Sequence, residues 1–396
     1  MKKIISKVYH FIYSHLNNFL IHINKKLPLK NQIVASSFYG KIYGNNTKYV
    51  IEKLHEINPK IKIYWICEKN YSYSLPTYVT PIKSKLRSSI IYARSKVVLD
   101  THFIPRDFYR RDNQIYIMMY HGGLGMKKIA NSVPGREKGT WPIHNGNNAS
   151  LFVSNSFFIN SVIRECLYFN GPIWMVGYPK NDLFHSNKMP IKEKVFNFFH
   201  LNNDDKMILY APTYRLDKND VSVFDIDFEM VIQTFQKKFN GNWLVVLHLH
   251  PHQQQLSQYL CNKFKNNVID GNNYEDIQEL MLSCDSLISD YSSCIFEAAE
   301  ASVPCFIYAS DWKTYKEKQG FFFDLCDLPF PYAENNDDFK QMVLNYDYND
   351  YFKKWKLFSK QQGLIETDKS SITIAKKINE YLKDGKLDLS EETIVL

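Results

Sequence analysis

The sequence predicts two doubly wound, Rossmann-like α/β domains facing a central cleft, preceded by an amphipathic helix. Three observations lead there. A chain of 396 residues exceeds what one hydrophobic core ordinarily organises and suits two α/β domains of similar size. Apolar runs of strand length alternate with helix-length segments in both halves, the pattern of βαβ units and parallel sheets. Polar clusters fall directly after the apolar runs, where open α/β sheets bind their ligands.

The elements follow in order. In residues 1–30, Ile4, Val8, Ile12, Leu16, Phe19, Leu20 and Ile23 recur at helical spacing, flanked by Lys2, Lys3, Lys7, Lys25, Lys26 and Lys30. A helix lying in an anionic membrane surface fits this pattern, and so does a helix packed on the protein itself. No run reaches the roughly 18 to 20 apolar residues of a membrane span, and no small-residue cleavage site follows the segment. Residues 31–185 read as the first domain, with strands at 33–38, 61–67, 97–99, 115–120, 151–154 and 173–176 and a helix carrying Val50, Ile51 and Leu54. The turn-rich, charged segment from GYPKND onward is the expected junction. Residues 186–396 read as the second domain with C-terminal helices. Its strands are MILYAP, WLVVLHLH, NVIDG, SLISD and CFIY.

Composition narrows the function. Hydrophobic residues at 45% and charged residues at 23% describe a globular chain. The net charge of +8 suits an anionic substrate or a membrane surface. Neither a basic block interleaved with aromatics nor a finger or RNP-like motif is present, so nucleic acid is not an expected partner. The seven cysteines are odd in number and form no CxxC, which argues against a disulfide framework or a zinc site.

Four polar clusters carry chemistry. After the strand SLISD come Tyr291, Ser292 and Ser293 and then a helix, so Ser292 and Ser293 sit where a pyrophosphate could be held by hydroxyls and free backbone N–H groups. Glu297, one turn on, is placed to accept from a ribose. Helix capping by Asp290 or Ser292, completed by Glu297, explains the same residues. In ILYAPTYR, Thr213 adds a donor and Arg215 a planar fork suited to phosphate oxygens. In VVLHLHPH, His248 and His250 stand at alternate positions of a strand, with His250 at its end. In YHGGLGMKK, His121 is positioned to move a proton. Gly122 and Gly123 allow close backbone approach, and Lys127 and Lys128 add positive charge. GYPKND holds no obvious reactive group and reads as a structural junction.

In this order, HGGxGxKKI, GYPKND, ILYAPTYR, HLHPH and ISDYSSxIFE resemble the motifs of the CDP-glycerol glycerophosphotransferase family of teichoic-acid and capsule polymerases. Strings typical of that family are WHGTPLKKIG, GYPRND, ILYAPTWR, a Leu-rich strand ending HP, and ITDYSSxxFD/E. FYGKIYGNN is similar to its FxGKxYxxNP, which places Gly40, Lys41 and Asn46 on the acceptor side. The resemblance implies a GT-B-type fold, His121 as general base and His250 as a second active-site histidine near the transferred phosphate. It also puts Thr213, Arg215, Ser292, Ser293 and Glu297 around the CDP moiety. The implied partners are a CDP-glycerol or CDP-ribitol donor and a lipid-linked saccharide or polyol-phosphate acceptor, met at the cytoplasmic face of the membrane. No cofactor is implied, and stimulation by a divalent cation is left open. Tyr120 stands where the family usually has Trp and Gly123 where it has Thr, so the acceptor is left open too. The rival readings are a GT-B glycosyltransferase using a nucleotide sugar and a non-catalytic assembly scaffold.

Overall fold

The computed structural model describes residues 2–102, 108–135, 146–215, 224–249 and 253–387, with backbone alone for 2–12, 254, 255 and 266. The first domain is built on seven parallel strands: β1 (Lys30–Ala35), β2 (Lys62–Ile66), β3 (Val79–Ile82), β4 (Ser95–Asp100), β5 (Ile115–Met118), β6 (Leu151–Ser154) and β7 (Ile173–Met175), in the order β3-β2-β1-β4-β5-β6-β7. Successive side chains of a strand point to opposite faces. Accordingly Ile33 and Ala35 join a core with Val50, Ile51 and Leu54, while Val34 joins Tyr92, Val98 and Tyr116 beneath the sheet. Burial on both faces explains why these strands are continuous apolar runs.

Four helices accompany this sheet: α1 (Lys2–Lys26), α2 (Asn45–Ile57), α3 (Lys85–Arg94) and α4 (Phe157–Leu167). The second domain repeats the plan with β8 (Asp205–Tyr210), β9 (Asn242–Leu247), β10 (Val268–Asp270), β11 (Ser286–Ser289), β12 (Cys305–Tyr308) and β13 (Tyr332–Ala333), all parallel in the order β10-β9-β8-β11-β12-β13. Its helices are α5 (Lys188–Phe199), α6 (Phe228–Phe239), α7 (Gln254–Phe264), α8 (Ile277–Ser283), α9 (Cys294–Glu300), α10 (Trp312–Gln319), α11 (Asn336–Leu344) and α12 (Tyr348–Gln361). A last helix, α13 (Ser370–Asp384), follows.

One expectation needs correction, one strand has little sequence signal, and the first helix divides its apolar residues. The helix α13 does not stay with the second domain: Ile374, Ala375 and Ile378 lie in the first-domain core beside α2. An apolar stripe at helical spacing says that a helix covers a core, not which core. The strand β3 went unread because VTPI carries Pro81 in only four residues. It lies at the sheet edge, where proline is tolerated. Finally, α1 meets the domain along Asn17 and Ile21, which are buried, and leaves Leu16, Phe19 and Ile23 of the predicted stripe exposed. It packs against α3, and Arg111 Nη1 donates to the Leu27 carbonyl at 2.9 Å. No described helix is long and apolar enough to cross a membrane.

Candidate active site

Each sheet reverses its strand order once, between β1 and β4 in the first domain and between β8 and β11 in the second. Ligands of open α/β sheets bind outside the carboxyl ends of the strands at such a reversal. Residues following the neighbouring β5 and β11 meet across the cleft: a Cβ added at Gly125 would lie 3.7 Å from Ser293 Cβ.

On the first-domain side, His121 follows β5. Its Nδ1 lies 3.2 Å from the Thr101 carbonyl. A carbonyl only accepts, so Nδ1 carries the hydrogen and Nε2 keeps its lone pair. Burial lowers the His121 pKa to about 4, against the Thr101 carbonyl and with help from Lys180 and Lys127, so the ring is neutral at pH 7. The His102 ring stacks on it, centroids 3.9 Å apart. Burial pushes Asp100, at the end of β4, up to about 7. Gly40 has φ +83°, and a Cβ there would stand 2.7 Å from the Ile66 carbonyl oxygen, so the turn requires glycine. Lys41, next to it, is exposed. Asn46 is buried and donates to the Met119 and Tyr120 carbonyls at 2.8 and 2.9 Å, tying this turn to the strand that carries His121. At Gly123 a Cβ would meet Asn155 Nδ2 at 3.1 Å and the Tyr178 ring at 3.4 Å, so that space is already filled.

On the second-domain side, Asp290 Oδ1 accepts from Thr213 N at 2.7 Å and from Tyr291 N. Arg215 ties the turn together. Its Nε and Nη2 donate to Asp311 at 2.8 and 2.9 Å, Nη2 pairs with Asp290 at 2.8 Å, and Nη1 donates to the Thr213 carbonyl at 2.7 Å. The guanidinium also lies over the Tyr291 and Tyr315 rings. Thr213 Oγ1, in contrast, is buried and has no partner among the described residues. Ser293 takes the N-cap position of α9 without a side-chain capping bond, and no ion pair among the described residues takes Lys127 Nζ. Burial lowers the Lys127 pKa, with Asp290 opposing. A desolvated cation and an orphaned hydroxyl at a strand end suit an incoming anion. Among the described residues no group of His, Cys, Asp and Glu is arranged to hold a metal.

Lys180, from the junction, bridges the two sides. Its Nζ donates to the His121 carbonyl at 3.1 Å and to Glu297 Oε1 at 2.6 Å, while Gln278 Nε2 donates to Glu297 Oε2 at 2.6 Å. All three side chains are buried.

The family model for CDP-glycerol:poly(glycerophosphate) glycerophosphotransferases matches residues 19–379. The chain belongs to this family. It is 25% identical over 347 residues to the teichoic acid poly(glycerol phosphate) polymerase of Bacillus subtilis, covering 84% of this chain and 46% of that protein. It is 27% identical over 375 residues to the teichoic acid glycerol-phosphate transferase of Staphylococcus aureus, covering 89% and 94%. The chain therefore spans about half the length of the first relative and nearly all of the second. A solved structure of the wall teichoic acid polymerase TagF superposes with a TM-score of 0.81 at 23% identity, over 97% of this chain and 98% of that one. That likeness shows the two-domain, GT-B-type fold.

Within this glycerophosphotransferase-family chain, the structure brings His121, Gly122, Gly123, Lys127, Thr213, Ser292 and Ser293 to the cleft. Two expected ligands are otherwise engaged. Arg215 is held by Asp290, Asp311 and the Thr213 carbonyl, and both Glu297 oxygens are taken by Lys180 and Gln278. The capping alternative meets the same objection, since Asp290 Oδ1 accepts from Thr213 N and Tyr291 N, Ser293 holds the N-cap position, and Glu297 is taken by Lys180 and Gln278. His250 lies outside the described residues. Sequence reading missed His102 and Lys180. The rule that singled out the other clusters, polar residues directly after an apolar run, would have found DTH after β4. Lys180 sat in a segment read as purely structural. It does join the domains, but it does so by reaching the site.

Proposed function

We propose that the chain transfers glycerol phosphate, or a related alditol phosphate, from its CDP-activated form to an acceptor hydroxyl and releases CMP. The observation that carries this reading is a neutral His121 with Nε2 unprotonated, with Lys127 on its own glycine-rich loop and the orphaned Thr213 hydroxyl on the second-domain side. In the reaction the acceptor oxygen bonds to the β-phosphorus, the bond from that phosphorus to the bridging oxygen breaks, and the oxygen leaves with CMP. The hydroxyl proton passes to His121 Nε2. Such transfer needs alignment and charge stabilisation more than covalent help. Lys127, Thr213, Ser292 and Ser293 meet the pyrophosphate charge in a cleft poor in water. Arg215 and Glu297 act at one remove: Arg215 shapes the DYSS turn, and Glu297 anchors Lys180 under His121. Relatives named for glycerol phosphate match at 25% and 27% identity, and relatives named for ribitol phosphate in Bacillus spizizenii at 23% and 24%, which supports a CDP-alditol donor of either kind.

Incubation with CDP-glycerol, CDP-ribitol and a panel of nucleotide sugars tests the reading. CMP released from a CDP-alditol in the presence of acceptor supports it. A nucleoside diphosphate released from a nucleotide sugar, with no CMP from either alditol, establishes the glycosyltransferase instead.

The acceptor in this proposal is lipid-linked and is met at an anionic membrane surface. The outward Leu16, Phe19 and Ile23 of α1 and the lysines around them support it. A triple replacement of these three by serine leaves the buried Ile21 contact in place. It is expected to reduce salt-sensitive cosedimentation with anionic vesicles at unchanged melting temperature. Undiminished cosedimentation overturns the membrane reading.

A further inference from the structure

The seat of His121 is built by three successive residues at the end of β4. Asp100 Oδ1 accepts from the backbone N–H of His102 at 2.7 Å. The Thr101 carbonyl accepts from His121 Nδ1, and the Thr101 hydroxyl lies 3.2 Å from both Ser37 Oγ and His102 Nδ1. His102 is thus pinned by its backbone on one side and by a hydroxyl chain on the other. Its ring lies nearly parallel to that of His121, the planes 13° apart, and Phe38 packs tilted against the side of this stack, its centroid 4.0 Å from His102 and 5.6 Å from His121. Phe38, Tyr39 and Gly40 all have positive φ. For the two aromatic residues this is an uncommon backbone state, which persists only where the surroundings hold it.

We propose that His102 is a positioning residue for the transfer: stacked on His121 and braced from the side by Phe38, it fixes the plane of the His121 imidazole so that Nε2 faces the acceptor hydroxyl, and it shields that ring from water. The inference rests on the reading of His121 as the base. A side chain hydrogen-bonded through Nδ1 alone can still rock about that bond, and a misplacement of about 1 Å can cost a transfer step roughly 100-fold. The stack removes that freedom. It also works only while both rings are neutral, because two imidazolium faces in contact repel. Burial, with His121 and Lys41 nearby, drives the His102 pKa down. The other charged or titratable groups facing the pair are Asp100 from β4, Tyr39 from the Phe38 turn, Tyr120 beside His121, Lys127 from the glycine-rich loop and Lys180 from the junction.

The test compares CMP release, its pH profile and thermal melting for the wild type, His102→Ala, His102→Gln, His102→Phe and His121→Ala. In His102→Ala, kcat is expected to fall about 10- to 100-fold with little change in donor KM. The acid limb of kcat/KM should move up from about 4 toward the ordinary histidine value as water reaches His121. His102→Phe keeps a flat ring on His121 and is expected to recover most of the lost kcat and hold the acid limb low. A purely structural role would move the melting temperature without moving the acid limb. If His102→Ala does not fold, Phe against Gln decides, and Phe must be the faster with the lower limb. A folded His102→Ala with kcat and acid limb unmoved overturns the inference, as does a Phe variant no better than Ala or Gln. An inactive His121→Ala beside an unaffected His102→Ala sinks only the positioning role. An active His121→Ala sinks the base and the inference together.

Discussion

The two sheets of this molecule reverse at equivalent places, yet the residues that follow their strands have opposite electrostatic habits. In the first domain burial moves Asp100 up to about 7 and His121 down to about 4, and it lowers His102 as well, so each leans toward its neutral form. In the second domain the charges are kept and paired: Asp290 and Asp311 hold Arg215, whose pKa they raise against its burial. A neutral ring with an open lone pair can take up a proton. A guanidinium between two carboxylates can hold a turn still. The same fold thus carries one group left free to change its charge and one turn whose charges are paired.

The largest effect should come from the first half alone. His121→Ala is expected to lower kcat by about 10²- to 10⁴-fold while CDP-donor affinity, read by calorimetry, stays within a few-fold. A variant retaining most of the wild-type kcat would erase the contrast. The bridge between the halves comes next. Lys180→Met leaves Glu297 buried without its cation, and denaturant unfolding should show a loss of about 3–5 kcal/mol. Adding Glu297→Gln should recover part of that loss; no recovery would mean that the pair contributes little.

Within the second half, Arg215→Ala and Ser293→Ala should separate. The arginine variant exposes two carboxylates to each other, so it should melt earlier as well as bind CDP less tightly. Ser293→Ala should weaken CDP binding by about 1–2 kcal/mol at unchanged melting temperature. An Arg215 variant with wild-type stability would return the guanidinium to the phosphate. The smallest effect concerns Asp100. Its folded pKa stands above the ordinary aspartate value, so its contribution to stability is complete below about pH 4 and is lost as pH rises through about 7. Asp100→Asn, which keeps an acceptor for the His102 N–H, should flatten the melting temperature between about pH 4 and 7. An equally steep profile in the variant would show that Asp100 is not the titrating group.

Much of this was legible in the chain itself. The strand that carries Val34 and the strand that ends in Asp290 are continuous apolar runs because both faces of each sheet are buried, and that pattern is local. The motifs at their ends are local too, which is why His121, Thr213 and Ser293 could be named in advance. What stayed hidden depends on partners far away in sequence. Arg215 reads as a phosphate fork until Asp311 is seen to fill it, and Glu297 reads as a ribose acceptor until Lys180 arrives from the junction. His102 is a single ring after a strand, and only its stacking on His121 distinguishes it.

The return of α13 to the first domain has a mechanical consequence. The chain passes between the domains twice, once around Tyr178 and once around Glu366, and the two passages are fastened to each other. Tyr178 N donates to Glu366 at 2.9 Å, the Asn155 and Asn181 amides donate to the same carboxyl at 2.6 and 2.7 Å, and Asp182 accepts from Ser370 N at 3.0 Å. Gly177 and Gly363, one in each passage, have positive φ. A body held by one tether can swing and spin in any direction, whereas a body held by two tethers side by side keeps a single easy rotation, about the line that joins them. The second domain is therefore held at two points side by side, and sliding the DYSS turn sideways past His121 would require both to shear.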